Sequence, residues 1–195
     1  MEEKLQSELK FLRSQTNPHF LFNTLNNLYH LARKNSSNTP DAILKLSGLM
    51  RFMLYECTAT TIPISKEIDL IRDYIELEKL QYDNRLTVDF KVDATIENQK
   101  IAPLLLMPFV ENAFKHGASE STGNIWVYIY LTIKNGVLEF SVKNSKDPDT
   151  QYSDEGIGLK NIKRQLDLIY PNHILEIKNR ENEFEIYLKI ELVQN

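Results

Sequence analysis

Asn17-Pro18-His19-Phe20-Leu21-Phe22-Asn23 is the stretch on which the reading of this chain turns. A histidine directly follows a proline inside a segment, residues 2–34, that otherwise has the period of one long amphipathic helix. Proline removes a helical N–H and presses its ring on the preceding turn, so the pattern predicts a bend near Pro18. At about 100° per residue, Thr16, His19, Asn23, Asn26 and His30 share one face and Leu21, Leu25, Leu28 and Ala32 the opposite one. His19 therefore stands on a polar row of a bent helical stalk. A lone helical histidine is by itself an ordinary polar residue. Metal binding has no support, because no Cys or carboxylate cluster accompanies His19 and His30 at ligand spacing.

Working outward, Asn35-Ser36-Ser37-Asn38 is a turn. Thr39 then fits an N-cap, with Pro40 and Asp41 in the first turn of a second helix reaching about Cys57. Ile43, Leu46, Met50, Met53 and Cys57 repeat along it at helical spacing. Such a hairpin is expected to bury its apolar sides in a symmetric dimer, as a four-helix bundle. A third helix runs from a cap at Ser65 to about Tyr82, with Ile68, Ile71 and Ile75 on one stripe and Leu70, Tyr74 and Leu77 widening it. From Arg85 the period falls to two: Leu86, Val88, Phe90 and Val92 alternate with Thr87, Asp89 and Lys91, which reads as a strand. Residues 103–116 read as a helix from Pro103, closed by Gly117 as a left-handed C-cap. Asn135-Gly136 joins strands 124–134 and 137–144. Residues 145–157 are loop, 159–170 helix, and Ile174–Lys178 with Glu183–Leu192 a last hairpin. The expected fold class is α+β: helical over 1–82, mixed over 83–195.

Composition narrows the function classes. A chain of 195 residues with net charge −4 has no broad basic surface for nucleic acid or for a polybasic membrane contact. One cysteine, Cys57, excludes an internal disulfide and fits a reducing compartment. The longest apolar run, Ile101 to Val110, contains two prolines and is far short of the ~20 residues of a bilayer span. Leu5, Leu9 and Leu12 are already in helical phase with no cap before them, so the chain is expected to be a fragment.

Two further strings carry chemistry. In Glu111-Asn112-Ala113-Phe114-Lys115-His116-Gly117, Asn112 and His116 stack one turn apart, as do Glu111 and Lys115. A neutral amide oxygen is a suitable Mg²⁺ ligand, and a lysine one turn on reaches a phosphate as a point charge. On spacing alone the same residues fit a surface ion pair and a polar helix end. Gly156-Ile157-Gly158 opens a helix at Leu159-Lys160-Asn161, where glycines allow close approach of the backbone and helix N–H groups favour an anion. On its own it fits a loop cap equally well. Residues Lys146 to Glu155 read as a mobile lid or an ordinary loop. No Gly-x-Ser-x-Gly elbow and no GxxxxGK[ST] phosphate loop occurs.

Gln15 to Asn26, with His19 at its centre, resembles the phosphoacceptor motif of LytS/YehU-type sensor histidine kinases. Glu111 to Gly117 is similar to the N box of their GHKL, or Bergerat-fold, ATP-binding domain. Gly156 to Asn161 resembles the closing glycine box. The order and spacing match, and the resemblance covers nearly the whole chain. It implies an N-terminal dimerising and phosphotransfer hairpin over 1–82 and a Bergerat-type α/β sandwich over 83–195. It implies that ATP phosphorylates His19, that Asn112 ligands the bridging Mg²⁺, and that Glu111 polarises the acceptor or orients the site. Lys115, His116, Gly156, Gly158, Leu159, Lys160 and Asn161 would lie around the nucleotide. The implied partners are a second copy and the receiver domain of a response regulator, often of the LytTR type, with no nucleic acid. Membrane attachment would come only through a missing N-terminal region, leaving this part as a cytoplasmic domain.

The sequence departs from the family at one place. Where an Asp usually accepts from the adenine amino group, Val142-Lys143-Asn144-Ser145 puts Asn144. Its amide oxygen can accept the same hydrogen bond, weaker by ~1 kcal/mol without the charge. No carboxylate follows His19 directly, so Asn23, one turn away on the same face, is the expected group to orient the ring. The alternatives are a catalytically weak member that signals by nucleotide binding or dimerisation, and a GHKL ATPase or serine kinase, which has no use for the Asn17–Asn23 string.

Overall fold

The computed structural model describes residues 18–56, 59–82, 85–96, 98–117, 125–146 and 157–192. The expected helix over residues 2–17 and its bend, Cys57, most of the lid and Gly156 lie outside them. Helix α1 (Pro18–Arg33) and helix α2 (Thr39–Arg51) form the predicted hairpin, and a single π-helical turn, Phe52–Glu56, continues α2. Thr39 is already helical, and its hydroxyl donates to the Ser36 carbonyl at 2.9 Å instead of capping. Helix α3 (Ile64–Tyr82) follows directly on the short strand β1 (Ile62–Pro63). Ser65 therefore sits inside its first turn.

Within one chain the hairpin buries only part of its apolar surface. Phe20, Thr24 and Leu28 of α1 are buried, while Leu25 is 52% exposed. Ala42, Leu46, Leu49 and Phe52 line the inside of α2, while Ile43 is 50% exposed and Met50 39%. The reason is α3: it packs on both helices and selects, from two apolar stripes on each, the one that meets its own. The second stripe is left outside. The α3 stripe itself is as expected, with Ile68, Leu70, Ile71, Tyr74, Ile75 and Leu77 all buried.

A mixed sheet forms the other half. Strands β2 (Leu86–Ala94), β4 (Ile125–Lys134), β5 (Val137–Ser145), β6 (Ile174–Asn179) and β7 (Glu183–Glu191) lie in the order β2-β4-β5-β7-β6. β2 runs parallel to β4 and the remaining pairs are antiparallel. A two-residue strand β3 (Lys100–Ile101) pairs with β1 and ties the chain ahead of α3 to the second half. Alternation sets the faces: Val127, Ile129, Leu131, Phe140, Val142, Ile186 and Leu188 point to the core. The β4–β5 turn has Asn135 at φ 51° and Gly136 at φ 76°, as an Asn-Gly hairpin requires. Helices α4 (Met107–Gly117) and α5 (Ile157–Ile169) cover the core face and pack on one another. Phe109 of α4 meets Phe140 of β5 at 6.4 Å between centroids. The hydrophobic core is continuous from Phe20 to Leu192. Among the described residues no helix is long and apolar enough to cross a membrane.

Candidate functional site

The helix expected from Pro103 starts four residues later, at Met107. Leu104 has φ 55°, a left-handed conformation that costs a non-glycine residue of order 1–2 kcal/mol. The group that holds this turn comes from α3. Glu67, fully buried, accepts the Leu104 N–H at 3.0 Å, the Leu106 N–H at 2.9 Å and the Met107 N–H at 3.3 Å. A carboxylate from another helix thus caps the N-terminus of α4 and satisfies donors that have no partner within it. Loss of water raises the Glu67 carboxyl to about 7, against the pull of those N–H groups.

The far end of α4 is fixed by contact. Gly117 is helical, with no positive φ, so it is not the left-handed cap that the sequence suggested. It is required for space: a Cβ there would lie 2.8 Å from Asn144 Nδ2, 2.9 Å from Asn144 Cβ and 3.0 Å from the Ser145 carbonyl. Asn144 is 1% exposed and its Nδ2 donates to the Ser145 carbonyl at 2.9 Å. The end of the Glu111–Gly117 string and Asn144, 27 residues apart in sequence, are therefore in direct contact.

Between these two ends α4 presents Glu111 and Asn112, both half-buried, and Lys115, exposed; His116 lies on its last turn. Gly158 falls in the first turn of α5, followed by buried Leu159, exposed Lys160 and half-buried Asn161. Packing of α5 on α4 gathers the second and third strings on one side of the sheet. Among the described residues no group of three or more His, Cys, Asp or Glu could hold a metal ion. A Mg²⁺ carried by a polyphosphate needs no such cage, only one or two protein oxygens, and the Asn112 amide fits that role.

His19 falls in the first turn of α1, and its neighbour Phe20 is buried against α3. The Phe20 ring lies 4.7 Å from that of Tyr74 on α3, and Tyr74 meets Phe114 on α4 edge-on at 5.7 Å. One aromatic column thus runs from the residue beside His19 to the helix of Glu111 and Asn112. Asn23, one turn along α1 from His19, is half-buried.

Sequence reasoning missed three residues here: Glu67, Tyr74 as a polar group, and Glu78. Glu78 is 6% exposed and hydrogen-bonds to the Tyr74 hydroxyl. Burial raises its carboxyl to about 7. Glu111 is raised to about 7 by burial and by the charge of Glu78. Burial also pushes the Tyr74 phenol well up, with Glu78 and Glu111 adding to it. The signal was present: Glu67 and Glu78 continue the apolar spacing of Ile64, Ile71 and Tyr74, so two acids stand on the inward stripe of α3. Acids on such a stripe need buried partners.

The histidine kinase family model matches residues 7–86. A sensor protein LytS from Enterococcus faecalis is 30% identical over 178 residues, which is 85% of this chain and 30% of that protein. The sensor histidine kinase BtsS of Escherichia coli is 34% identical over 122 residues, 62% of this chain and 22% of that protein. The chain thus spans less than a third of the length of either relative. Among solved structures, the histidine kinase domain of a blue-light activated histidine kinase from Erythrobacter litoralis covers 97% of this chain, and the match takes in 93% of that structure, with TM-score 0.52 and 15% identity. The catalytic domain of histidine kinase ThkA matches with TM-score 0.51 at 16% identity, over 68% of this chain and 94% of that structure. These two likenesses concern the fold alone. With the family model and the curated relatives in agreement, the chain belongs to the sensor histidine kinase family, of the LytS type.

Proposed function

We propose that this chain is the kinase portion of a sensor histidine kinase: it binds ATP with Mg²⁺, phosphorylates His19 and passes the phosphoryl group to an aspartate of a response regulator receiver domain, of LytTR type in the reading from family resemblance. Residues 1–82 serve dimerisation and phosphotransfer, and residues 83–195 bind the nucleotide. The observation that carries this reading is the Phe20–Tyr74–Phe114 column, which ties the helix of His19 to the helix of Asn112 and Glu111.

Phosphoryl transfer asks for positioning and charge neutralisation more than for covalent help. Asn112 is the proposed Mg²⁺ ligand; the ion, when bound, neutralises charge on the phosphates. Lys115, His116, Lys160 and Asn161 lie near the phosphates in this reading, with Gly158 and the Leu159 backbone at the helix start allowing close approach, and Gly156 assigned to the same glycine string by resemblance.

 Asn144 accepts from the adenine amino group. Asn23 orients the His19 ring, and Glu111 takes up the proton that the ring sheds. The attacking imidazole nitrogen forms an N–P bond while the bond from the γ-phosphorus to its bridging oxygen breaks, and ADP leaves with that electron pair.

Dimerisation has its own support. The stripe that α3 leaves uncovered on α1 and α2 forms an apolar groove of about 650 Å³, lined by Leu25, Tyr29, Ile43, Met50, Leu54 and Tyr55 among others. A second copy with the same stripe closes a four-helix bundle.

The test is incubation with radiolabelled ATP and Mg²⁺, with His19→Gln as control. Acid-labile, base-stable label on the unsubstituted chain alone is the expected result. Label on serine, or phosphate released to solution with none on the protein, would refute it. A second reading, nucleotide binding without transfer, draws on Asn144, which lacks the charge of the usual Asp. Saturable ATP binding with no label would favour it.

A further inference from the structure

The connection that leads into α4 is bonded from two sides. We propose that Tyr170 is a positioning residue for the nucleotide site: its hydroxyl, acting with Glu67, clasps the chain between β3 and α4 and so fixes α4, which carries Asn112, against α5, which opens at Gly158. This rests on the reading above, in which Asn112 takes the Mg²⁺ of a bound nucleotide.

Residues 99–107 are bonded along most of their length. The Gln99 carbonyl accepts the Ile64 N–H at 3.0 Å, at the start of α3. Lys100 and Ile101 pair with Pro63 and Ile62. Ala102, fully buried, donates its N–H to the Tyr170 hydroxyl at 3.0 Å. Leu104, Leu106 and Met107 donate to Glu67. All of these partners except Tyr170 belong to α3 or to the strand just ahead of it. Tyr170 follows directly on α5. Directional bonds from α3 and from the end of α5 thus converge on the entrance of α4.

Tyr170 is itself firmly held. Its N–H donates to the Leu166 carbonyl at 2.7 Å, so it completes the last turn of α5. Pro171 cannot continue the helix. The chain turns there: the His173 N–H donates to the Tyr170 carbonyl at 2.9 Å, and His173 Nδ1 lies 2.8 Å from the same oxygen. The Tyr170 side chain is buried, so its hydroxyl has a fixed place.

The hydroxyl supplies what apolar packing does not. Helices α4 and α5 pack on one another, but hydrophobic contact is non-directional and tolerates sliding. A hydrogen bond fixes distance and angle. Register between the two helices matters because they bring different parts of the site, Asn112 on one and the glycine turn on the other. Helix α5 has 13 residues, about 20 Å at 1.5 Å per residue. With Tyr170 as the pin, a tilt of about 3° moves the glycine end by about 1 Å over that length. A misplacement of that size is enough to spoil a positioned reaction. Without the hydroxyl, the buried Ala102 N–H has lost its acceptor, and the chain into α4 is held from the α3 side alone.

The experiment uses the full chain. Binding of a non-hydrolysable ATP analogue is measured by calorimetry with and without Mg²⁺, and amide exchange is followed with neither analogue nor metal. In the unsubstituted chain Mg²⁺ is expected to tighten binding, and the Ala102 amide to be protected. Tyr170→Phe keeps the ring and removes the acceptor. It should open the Ala102 amide to exchange and shrink the gain from Mg²⁺ by about fivefold, the worth of one net hydrogen bond, with binding of the Mg²⁺-free analogue little changed. Glu67→Gln should shrink the gain in the same direction. Ile186→Val, a core change on β7, lowers stability without touching the clasp and should keep the whole gain. An equal loss of affinity with and without Mg²⁺ in Tyr170→Phe overturns the proposal, because it reports general loosening. A gain from Mg²⁺ that neither Tyr170→Phe nor Glu67→Gln alters overturns it too, and leaves the reading of Asn112 standing. Glu67→Gln decides alone if Tyr170→Phe does not fold. No gain from Mg²⁺ in the unsubstituted chain refutes the reading of Asn112, and the proposal falls with it.

Discussion

Replacing Glu67 by alanine should unfasten the entrance to α4 while leaving its sequence intact. Three backbone N–H groups, of Leu104, Leu106 and Met107, lose their acceptor in a region closed to water. Each unsatisfied buried donor costs about 1–3 kcal/mol. Removing the buried carboxyl also relieves its desolvation, so the low end of that range applies, and the expected loss is about 3 kcal/mol in all. The left-handed Leu104 turn, no longer held, should relax with it. Glu67→Gln keeps one acceptor oxygen but points an NH₂ at a donor, and should cost about half as much. Denaturant unfolding followed by tryptophan fluorescence measures the stability change. Amide exchange at Leu104, Leu106 and Met107 shows whether the loss is where it should be. A change below about 1 kcal/mol, or retained protection at those three amides, would refute the capping argument.

Other outcomes follow from the same contacts. Gly117→Ala places a methyl group 2.8 Å from Asn144 Nδ2, and should cost about 1–3 kcal/mol by overpacking; a thermal melt unchanged from that of the unsubstituted chain would count against the contact. Phe20→Ala opens the aromatic column and should cost about 3–5 kcal/mol, read by denaturant unfolding, with Phe20→Leu losing far less. Stability should fall between pH 5 and 7. Glu67 is raised to about 7 in the fold from a usual 4.5, so the folded chain keeps a proton that the unfolded chain has released. Its contribution is present below pH 4.5 and lost as pH passes 7. At about 1.4 kcal/mol per tenfold change in proton affinity, this is about 3 kcal/mol. Urea midpoints across this window should show a shallower slope in Glu67→Gln. Leu25→Asp with Leu54→Asp on the exposed stripe should shift the mass from dimer to monomer in light scattering, with the melt little changed; a persistent dimer would place the interface elsewhere.

Much of the architecture was legible because it is local. Alternation in Leu86 to Val92, the Asn135-Gly136 turn and the inward stripe of α3 each carry their own period, and the structure has all three. What failed was non-local. Residues 103–106 look like a helical first turn, yet a carboxylate 37 positions upstream holds Leu104 out of the helix. Gly117 looks like a cap, but its missing side chain makes room for Asn144. The hairpin carries two apolar stripes per helix, and only the presence of α3 decides which is buried. The site was legible in the same uneven way. Its three motif strings stood out by residue type, whereas Glu67, Tyr74 and Glu78 were hidden in a stretch that read only as core.

Helix α3 spans 19 residues, about 28 Å at 1.5 Å per residue. It grips α4 at both levels, through Glu67 at the entrance and through Tyr74 against Phe114 further on. Such a strut resists sliding and passes tilt instead, so a torque applied to the hairpin would arrive at Asn112 as a swing of a whole rigid rod. It also governs where the polypeptide can be cut. A truncation that begins after Tyr82 strips the cover from Phe114 and orphans the Leu104 turn, and should yield an aggregating fragment. One that begins before Ile62 carries the strut along, and should remain well behaved.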